Sequence, residues 1–131
     1  MKIKTKKLEV KTDERGWFVE ILRGDEIPRK EFGQIYLTTA KPGVVKGNHY
    51  HTRKIDWFCV IKGKGELVLK DNKTGKKQKI VMGDENLVTV KIPPNITHAI
   101  KNVGEEMLYL LGYIDEPYNP EDPDTIFNQI L

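Results

Sequence analysis

Hydrophobic and polar residues alternate with a period of two along much of the chain, which is the pattern of half-buried β-strands. The alternation is clear in KIKTKKLEV near the start and in GQIYLTTA, which ends at the turn sequence KPG. Sequences rich in Gly, Pro, Asn and Asp recur about every 8–12 residues, the spacing typical of β-sandwiches and β-barrels. The pattern therefore predicts an all-β chain of short strands.

Apolar stretches between these turns predict the individual strands. DWFCVIKGKGELVLKD predicts two strands about the turn KGKG, and GDENLVTVKIPP predicts a strand that ends at two prolines. RGWFVEIL and EEMLYLLGYI are further apolar runs of strand length, whereas residues 122–131 are the one stretch that could form a short helix. Such a series favours a double-stranded β-helix, that is, a jelly roll closed into a small barrel, as a single domain over residues 1–131.

Composition narrows the class of protein without changing this fold. Charged residues make up 31% and hydrophobic residues 38% of the chain, a balance typical of globular domains. The net charge is +3, and the positive charges are scattered lysines without an arginine-rich stripe, so we expect no nucleic-acid partner. No long apolar run or signal-peptide core is present, so we expect a cytoplasmic protein that does not bind membranes. The one cysteine, Cys59, lies in the apolar run WFCVI, which predicts a buried, unreactive thiol.

Two of the three histidines, His49 and His51, are separated by a single residue. In a β-strand, residues two apart point to the same face, so both imidazoles would lie on one side of the sheet. If that side is the barrel interior, their burial is costly unless they bind a partner. The pair therefore marks a candidate site.

The surrounding sequence resembles the two signatures of the cupin superfamily. Residues 43–63 read as Gly, five residues, His-x-His, four residues, an acidic residue, six residues and Gly, with Asp56 where Glu is usual. PPNITHAIKN is similar to the second signature, P-x-G-x-x-H-x-x-x-N, with Asn95 in place of Gly; Asn also tolerates the left-handed backbone conformation. The resemblance implies a four-residue ligand set of His49, His51, Asp56 and His98.

Three neutral imidazoles and one carboxylate suit a divalent transition metal better than Ca²⁺ or Mg²⁺. Zinc is the first choice, with Fe, Mn or Ni as alternatives, in either a structural or a catalytic role. The other interpretation of the same residues is a polar cluster held by hydrogen bonds without metal.

Further segments resemble sugar-nucleotide epimerases within this superfamily. TDERGWFVEIL and GVVKGNHYH are similar to the D-x-R-G-x-F-x-E and V-x-R-G-x-H-Y-Q segments of the dTDP-4-dehydrorhamnose 3,5-epimerases. GNHYHTRKIDWF and YNPEDPDTIF resemble two segments of the cupin domain in capsular polysaccharide enzymes that epimerise and reduce a UDP-4-keto sugar. The resemblance implies an epimerase or isomerase that acts next to the ketone of a nucleotide-linked 4-keto-6-deoxy sugar in cell-surface polysaccharide synthesis, as a homodimer.

The resemblance also implies catalytic roles. His49 falls on the family's base, and a Tyr acts as proton donor on the opposite face of the sugar. Tyr109, Tyr113 and Tyr118 lie near the expected segment, and Lys54 is nearest to the family's lysine. An imidazole that gives its lone pair to a metal cannot accept a proton. If His49 binds metal, the base is therefore a metal-bound hydroxide or a nearby Lys or Tyr.

Substrate contacts follow from the same comparison of motifs. Arg15 falls on the arginine that contacts the nucleotide diphosphate, and Lys46 is a second candidate for a phosphate. The family segment that carries this arginine reaches into the neighbouring subunit. Trp17 is a candidate for stacking on the nucleotide base, and Glu20 matches the family's glutamate.

Two other functions fit the same signatures. A cupin oxygenase would use this ligand set with a redox-active metal, so bound zinc would argue against it. A non-catalytic cupin that binds sugar nucleotides would not catalyse exchange of solvent deuterium into a 4-keto sugar.

Overall fold

The computed structural model describes residues 1–131 as twelve β-strands and one short 3-10 helix, Gly24–Glu26. It contains no helix that is long and apolar enough to cross a membrane. The strands are β1 (Thr5–Lys7), β2 (Lys11–Asp13), β3 (Gly16–Phe18), β4 (Gln34–Ala40), β5 (Val45–Tyr50), β6 (Asp56–Lys62), β7 (Lys64–Asp71), β8 (Lys77–Gly83), β9 (Val88–Ile92), β10 (Ile96–Asn102), β11 (Leu108–Ile114) and β12 (Ile126–Phe127).

Ten strands form two five-stranded sheets, and β2 and β3 form a separate hairpin. The first sheet has the order β1-β9-β6-β11-β4 and the second β12-β5-β10-β7-β8. All pairings are antiparallel, and most neighbours in a sheet are distant in sequence. This is the arrangement of the predicted all-β jelly roll, which the structure confirms.

The hydrophobic core lies between the inner faces of the two sheets. Strand alternation sends every second residue of β6, β7, β9, β10 and β11 inward, as the period-two pattern predicts. Fourteen buried residues form one continuous cluster. Its largest fully buried members include Leu67 and Leu69 of β7, Ile92 of β9 and Leu108 of β11.

The outer face of β6 is also covered, which explains why four consecutive residues of the run WFCVI, Trp57 to Val60, are buried, whereas Ile61 at its end is exposed. Trp57 and Cys59 point away from the core and line an apolar cavity of about 390 Å³ beneath the segment 19–27. The Thr89 hydroxyl in the neighbouring strand donates to the Ile21 carbonyl at 2.7 Å and holds this segment against the sheet.

Cys59 should therefore be nearly inert in the native protein. Burial raises the pKa of its thiol to about 11. At pH 8 roughly one thiol in a thousand is then ionised, and the thiolate is the reactive form. We expect labelling by a thiol reagent to be more than about a hundredfold slower than in denaturant, where one equivalent per chain reacts. Native labelling at the unfolded rate would contradict this burial.

Two local expectations were wrong. RGWFVEIL forms a strand only over Gly16–Phe18, because residues 19–22 turn to cover the outer face of β6. Residues 122–131 form no helix; two of them, Ile126 and Phe127, pair with β5 instead. Backbone groups in this last segment hydrogen-bond to side chains elsewhere in the fold, which a helix would not allow.

Candidate functional site

A cavity of about 530 Å³ lies between the inner faces of the two sheets. The first sheet contributes residues from β4, β6 and β11, and the second contributes β5 and β10. The loop after β5 and the C-terminal segment complete the wall. Its lining residues are Gln34, Tyr36, Thr38, Lys46, Gly47, His49, His51, Lys54, Asp56, Phe58, His98, Ile100, Leu110, Ile114, Glu116, Tyr118 and Thr125.

All three histidines meet in this cavity. His49 and His98 are partners in the β5–β10 ladder, and their ring centroids are 4.8 Å apart. The ring of His51 is 5.4 Å from that of His49 and 5.7 Å from that of His98. One nitrogen of each ring lies within 4.8 Å of the others, a spacing at which one ion could bind all three. Strand alternation and the second cupin-like segment thus bring together the residues that the sequence singled out.

Asp56 lies beside two of the three imidazoles. Its Oδ2 is 2.9 Å from Nε2 of His51 and 3.7 Å from Nε2 of His98. Its Oδ1 accepts a 2.9 Å hydrogen bond from the Tyr36 hydroxyl. It makes no hydrogen bond or ion pair with His49. Asp56, which is shorter than the usual Glu, therefore reaches His51 and His98 but not His49.

Backbone carbonyls fix the orientation of His51 and His98. Nδ1 of His51 lies 2.7 Å from the Asp124 carbonyl, and Nδ1 of His98 lies 3.0 Å from the Ile96 carbonyl. A carbonyl can only accept, so each Nδ1 carries a proton and each Nε2 points to the cavity. Nε2 of His98 is buried and has no hydrogen-bond partner. An unpartnered lone pair of this kind needs an explanation, and a bound cation supplies one.

The histidines differ in charge. Burial, together with the charges of His98 and His51, lowers the pKa of His49 to about 4. Burial also lowers the pKa of His98. For His51 burial acts in the same direction, but its hydrogen bond to Asp56 and the charge of that carboxylate outweigh burial and raise its pKa. At neutral pH His49 and His98 are therefore neutral, the form in which an imidazole binds metal or accepts a proton.

Tyr36 is a cavity residue that sequence reasoning missed. Its ring lies over the backbone of Gly112 in the adjacent strand β11, which leaves no room for a Cβ at that glycine. Burial and the nearby carboxylate of Asp56 raise the pKa of its hydroxyl, so it stays protonated and donates to Asp56. No motif marks Tyr36; its place follows only from the pairing of β4 with β11.

Replacement of Gly112 by Ala tests whether the Tyr36 ring packs against this glycine. The new Cβ would collide with Cζ of Tyr36, so the ring must move and its hydrogen bond to Asp56 is lost. We expect a loss of about 1–3 kcal/mol in the free energy of unfolding, measured by urea denaturation. Gly24→Ala is the matched control, because its Cβ would meet nothing within 4 Å. Equal stability of both variants would show that the Tyr36 ring does not pack against Gly112.

Both predicted lysines line the cavity, in different settings. Lys54 is buried, and its Nζ donates to the Pro123 carbonyl at 3.1 Å. Lys46 is exposed, and its Nζ donates to the Thr38 hydroxyl at 2.9 Å. One ammonium group is thus inside the cavity and another at its exposed rim.

Tyr109 and Tyr113 do not face the cavity, so these predicted proton donors are wrong. They belong to β11, whose residues Leu110 and Ile114 line the cavity, and strand alternation turns the two tyrosines to the other face. There the Tyr113 hydroxyl accepts a 2.8 Å hydrogen bond from a backbone N–H, that of Gly33. The third tyrosine of that sequence region, Tyr118, is 62% exposed and does line the cavity.

Arg15, Trp17 and Glu20 lie outside the cavity of their own chain. Arg15 and Trp17 belong to the β2–β3 hairpin, where the arginine pairs with Asp13 and the tryptophan is 62% exposed. Glu20 is exposed and pairs with Arg23 at 3.7 Å. Within one chain the structure therefore leaves these predicted substrate contacts unsupported.

The backbone around the cluster is unusual. Only three non-glycine residues in the structure have positive φ angles: Asn48 (60°), Asn95 (63°) and Asp124 (46°). Asn48 precedes His49 and occupies a bulge in the β5–β10 ladder, and the other two bond to the backbone or ring of His51. The expectation that Asn95 adopts a left-handed conformation is confirmed. Such conformations and bulges concentrate at functional sites.

Comparison with known proteins finds relatives that match nearly the whole chain. Residues 11–126 match the family described as polysaccharide biosynthesis C-terminal domain. The spore coat polysaccharide biosynthesis protein SpsL of Bacillus subtilis is 35% identical over 93% of this chain and 84% of its own length. A probable low-salt glycan biosynthesis epimerase, Agl13 of Haloferax volcanii, is 31% identical over 93% of this chain and 83% of its own length.

A solved structure also matches nearly all of the chain. The capsular polysaccharide assembling protein CapF from Staphylococcus aureus superposes with a TM-score of 0.73 and 31% identity. The match covers 94% of this chain and 34% of CapF, so the chain corresponds to about a third of that larger protein.

Proposed function

This chain belongs to the polysaccharide biosynthesis C-terminal domain family and has a cupin-type fold, and from that premise we propose that it is a sugar-nucleotide epimerase. Its substrate would be a nucleotide-linked 4-keto-6-deoxy sugar, on which it inverts a carbon next to the ketone. The observation that carries the proposal is the convergence of three imidazoles, a carboxylate and a buried ammonium in one cavity between the sheets.

The reaction needs a base for a weakly acidic C–H, stabilisation of the resulting enolate oxygen, and an acid on the other face. The cavity supplies cationic and hydrogen-bonding groups for the oxygen and several groups that can carry a proton. Lys54 and Tyr118 line it in addition to the imidazoles. The hydroxyl of Tyr36 stays protonated and donates a hydrogen bond to Asp56, which holds that carboxylate in place.

A divalent transition metal, with zinc as first choice, fits the donor set. Three imidazoles, a carboxylate and Nδ1 groups anchored on carbonyls are the usual surroundings of such an ion. To bind it, His51 would release the Nε2 proton through which it bonds to Asp56. When bound, it would supply a Lewis acid that stabilises negative charge developing in the cavity. Proton transfer would then fall to other groups that line the cavity, because a metal-bound imidazole has no free lone pair. The residues proposed to hold the ion are His49, His51, His98 and Asp56.

Exchange of solvent deuterium tests the proposed function. Wild-type protein is incubated in D₂O with dTDP- and UDP-linked 4-keto-6-deoxy sugars, and the masses of the recovered sugars are measured by mass spectrometry. Incorporation of deuterium next to the ketone is expected, because a working base must remove that hydrogen. A thermal shift without exchange would overturn the proposal in favour of a binding protein, and oxygen consumption would overturn it in favour of an oxygenase.

We also propose that two chains form the working unit. Trp17 and Phe18 on the β2–β3 hairpin are 62% and 59% exposed, and Ile35 and Leu37 of edge strand β4 are 59% and 56% exposed. Large exposed apolar surfaces of this kind mark interaction sites. A second copy would cover them and bring Arg15 of one hairpin to the diphosphate at the partner cavity, beside Lys46.

Sedimentation analysis tests the dimer. We expect a mass of twice the 15.1 kDa of the chain for the wild type. Trp17→Lys places a charge in the proposed interface and should shift the protein towards the monomer. Val81→Lys is the control, because this residue is 44% exposed on β8 in the other sheet. A monomeric wild type, or the same dimer in both variants, would contradict the proposed interface.

A further inference from the structure

The last ten residues, 122–131, which we term the C-terminal strap, cross the histidine cluster. β12 within the strap pairs with β5, with Phe127 opposite His49. Thr125 forms part of the cavity wall. The strap is therefore a component of the site that lies outside the two cupin-like signatures, although its residues 122–127 belong to the segment YNPEDPDTIF.

One end of the strap is anchored by the side chain of Asp124. Its carboxylate accepts hydrogen bonds from the backbone N–H groups of Thr52 at 3.0 Å, Arg53 at 3.0 Å and Lys54 at 3.4 Å. The Thr52 hydroxyl donates to the same carboxylate. These partners follow His51 directly, so the carboxylate fixes the strap at the end of the segment that carries this imidazole.

The other end is anchored by Asn48. The side-chain Oδ1 of Asn48 accepts from the backbone N–H groups of Ile130 at 2.9 Å and Leu131 at 3.1 Å, and its Nδ2 donates to the Leu131 carbonyl. Asn128 of the strap donates its backbone N–H to the Asn48 carbonyl at 2.7 Å and its side-chain amide to Thr97 at 2.9 Å. The strap thus bonds to the neighbour of every histidine.

Asp124 also touches the cluster directly, through its carbonyl 2.7 Å from Nδ1 of His51. His51 is 6% exposed, so no water competes freely for this bond. The carboxylate of the same residue holds that carbonyl in place, since a side chain and a carbonyl on one residue move together.

We propose that Asp124 is a positioning residue: its carboxylate locks the C-terminal strap so that its carbonyl holds the His51 ring with Nε2 turned to the cavity. The orientation of the ring follows from the contacts alone. Its consequence for catalysis rests on the proposed function. Without the anchor, the ring could rotate away from Asp56 and from a bound ion.

Magnetic resonance of the ring nitrogens tests this proposal on metal-free protein labelled with ¹⁵N-histidine. The chain has three histidines, so three ring systems must be assigned. In the wild type we expect slowly exchanging Nδ1–H signals for His51 and His98, because both N–H groups donate hydrogen bonds to backbone carbonyls. Asp124→Ala should lose the His51 signal to solvent exchange and keep the His98 signal, whose carbonyl belongs to β10.

The matched control is Asp122→Ala, an exposed carboxylate two residues away in the same strap. It pairs with Arg53 at 2.9 Å and does not touch His51, so both ring signals should remain. Absence of the His51 signal from the wild type, or its persistence in Asp124→Ala, would overturn the proposal. Loss of both signals in Asp124→Ala would also overturn it, because that result indicates general loosening of the fold.

If Asp124→Ala fails to fold, Asp124→Asn answers the same question. Its one remaining acceptor can bond Thr52, whereas its amide cannot accept from Arg53 and Lys54, so the His51 proton should exchange faster than in the wild type. With Zn²⁺ as probe, Asp124→Ala should weaken binding by about 10–100-fold and Asp122→Ala should not. Wild-type protein that binds no Zn²⁺ would refute the proposed metal site, and the ring signals would still decide the role of Asp124.

Discussion

Replacement of His49 by Ala is expected to abolish deuterium exchange into the 4-keto sugar. The ring of His49 lies in the cavity, 4.8 Å from that of His98, and no protein group hydrogen-bonds to it. It is therefore free to act on a ligand, either as the base or as part of a metal centre. Loss of a base or of a charge-stabilising group costs about 10²–10⁴ in rate, so exchange should fall at least a hundredfold.

Tyr50→Phe is the matched control for this variant. Tyr50 is the next residue in β5, does not line the cavity, and loses only a hydroxyl in the substitution. We expect it to exchange deuterium at the wild-type rate. Full exchange by His49→Ala would remove this residue from the mechanism, whether or not a metal is bound.

Replacement of His98 by Ala is expected to abolish metal binding. Nε2 of His98 is buried without a hydrogen-bond partner and faces Asp56 at 3.7 Å. Removal of a direct ligand should weaken Zn²⁺ affinity by more than the roughly 10–100-fold reported for outer hydrogen-bond partners of ligands. The metal content of purified protein, measured by mass spectrometry and by Zn²⁺ titration, tests this expectation.

The control for His98→Ala must create a cavity without removing a ligand. Ile100 is on the same inward face of β10, two residues further along, and is 3% exposed. Ile100→Ala should lose about 2–5 kcal/mol of stability through the cavity it creates, yet keep one equivalent of metal. Wild-type protein without metal, or equal metal content in both variants, would contradict the proposed metal site.

The sequence predicts those parts of the site that depend on strand alternation. A period of two predicts His49 and His51 on one face; in the structure β5 ends at Tyr50, His51 follows it directly, and the antiparallel pairing of β5 with β10 adds His98. Asp56 is the first residue of β6, and its side chain points inward from the first sheet towards the sheet that contains β5 and β10. The jelly roll and the imidazole cluster could therefore be anticipated from short-range patterns and two cupin-like segments.

The parts that were missed depend on contacts between distant segments. Tyr36 reaches Asp56 because β4 pairs with β11 and Gly112 makes room for the ring, and no local pattern contains that information. Tyr113 was expected in the site because of its place in the chain. Its face was set by the register of β11, which a shift of one residue would have reversed.

The structure of the C-terminal segment also depends on contacts with distant parts of the chain. Its composition allowed a helix, but Asp124 bonds to backbone groups about seventy positions earlier in the chain, and Asn48 binds its last residues. Long-range hydrogen bonds outweigh a weak local preference for helix in so short a segment.

The most direct test of the epimerase assignment is the configuration of the product, read by proton magnetic resonance of the sugar ring after incubation with wild-type protein. Proton couplings report which carbon has been inverted and where the ketone lies. We predict inversion at a carbon adjacent to a ketone that remains at position 4. A sugar recovered with its original configuration, or with its ketone moved to another carbon, would contradict the account.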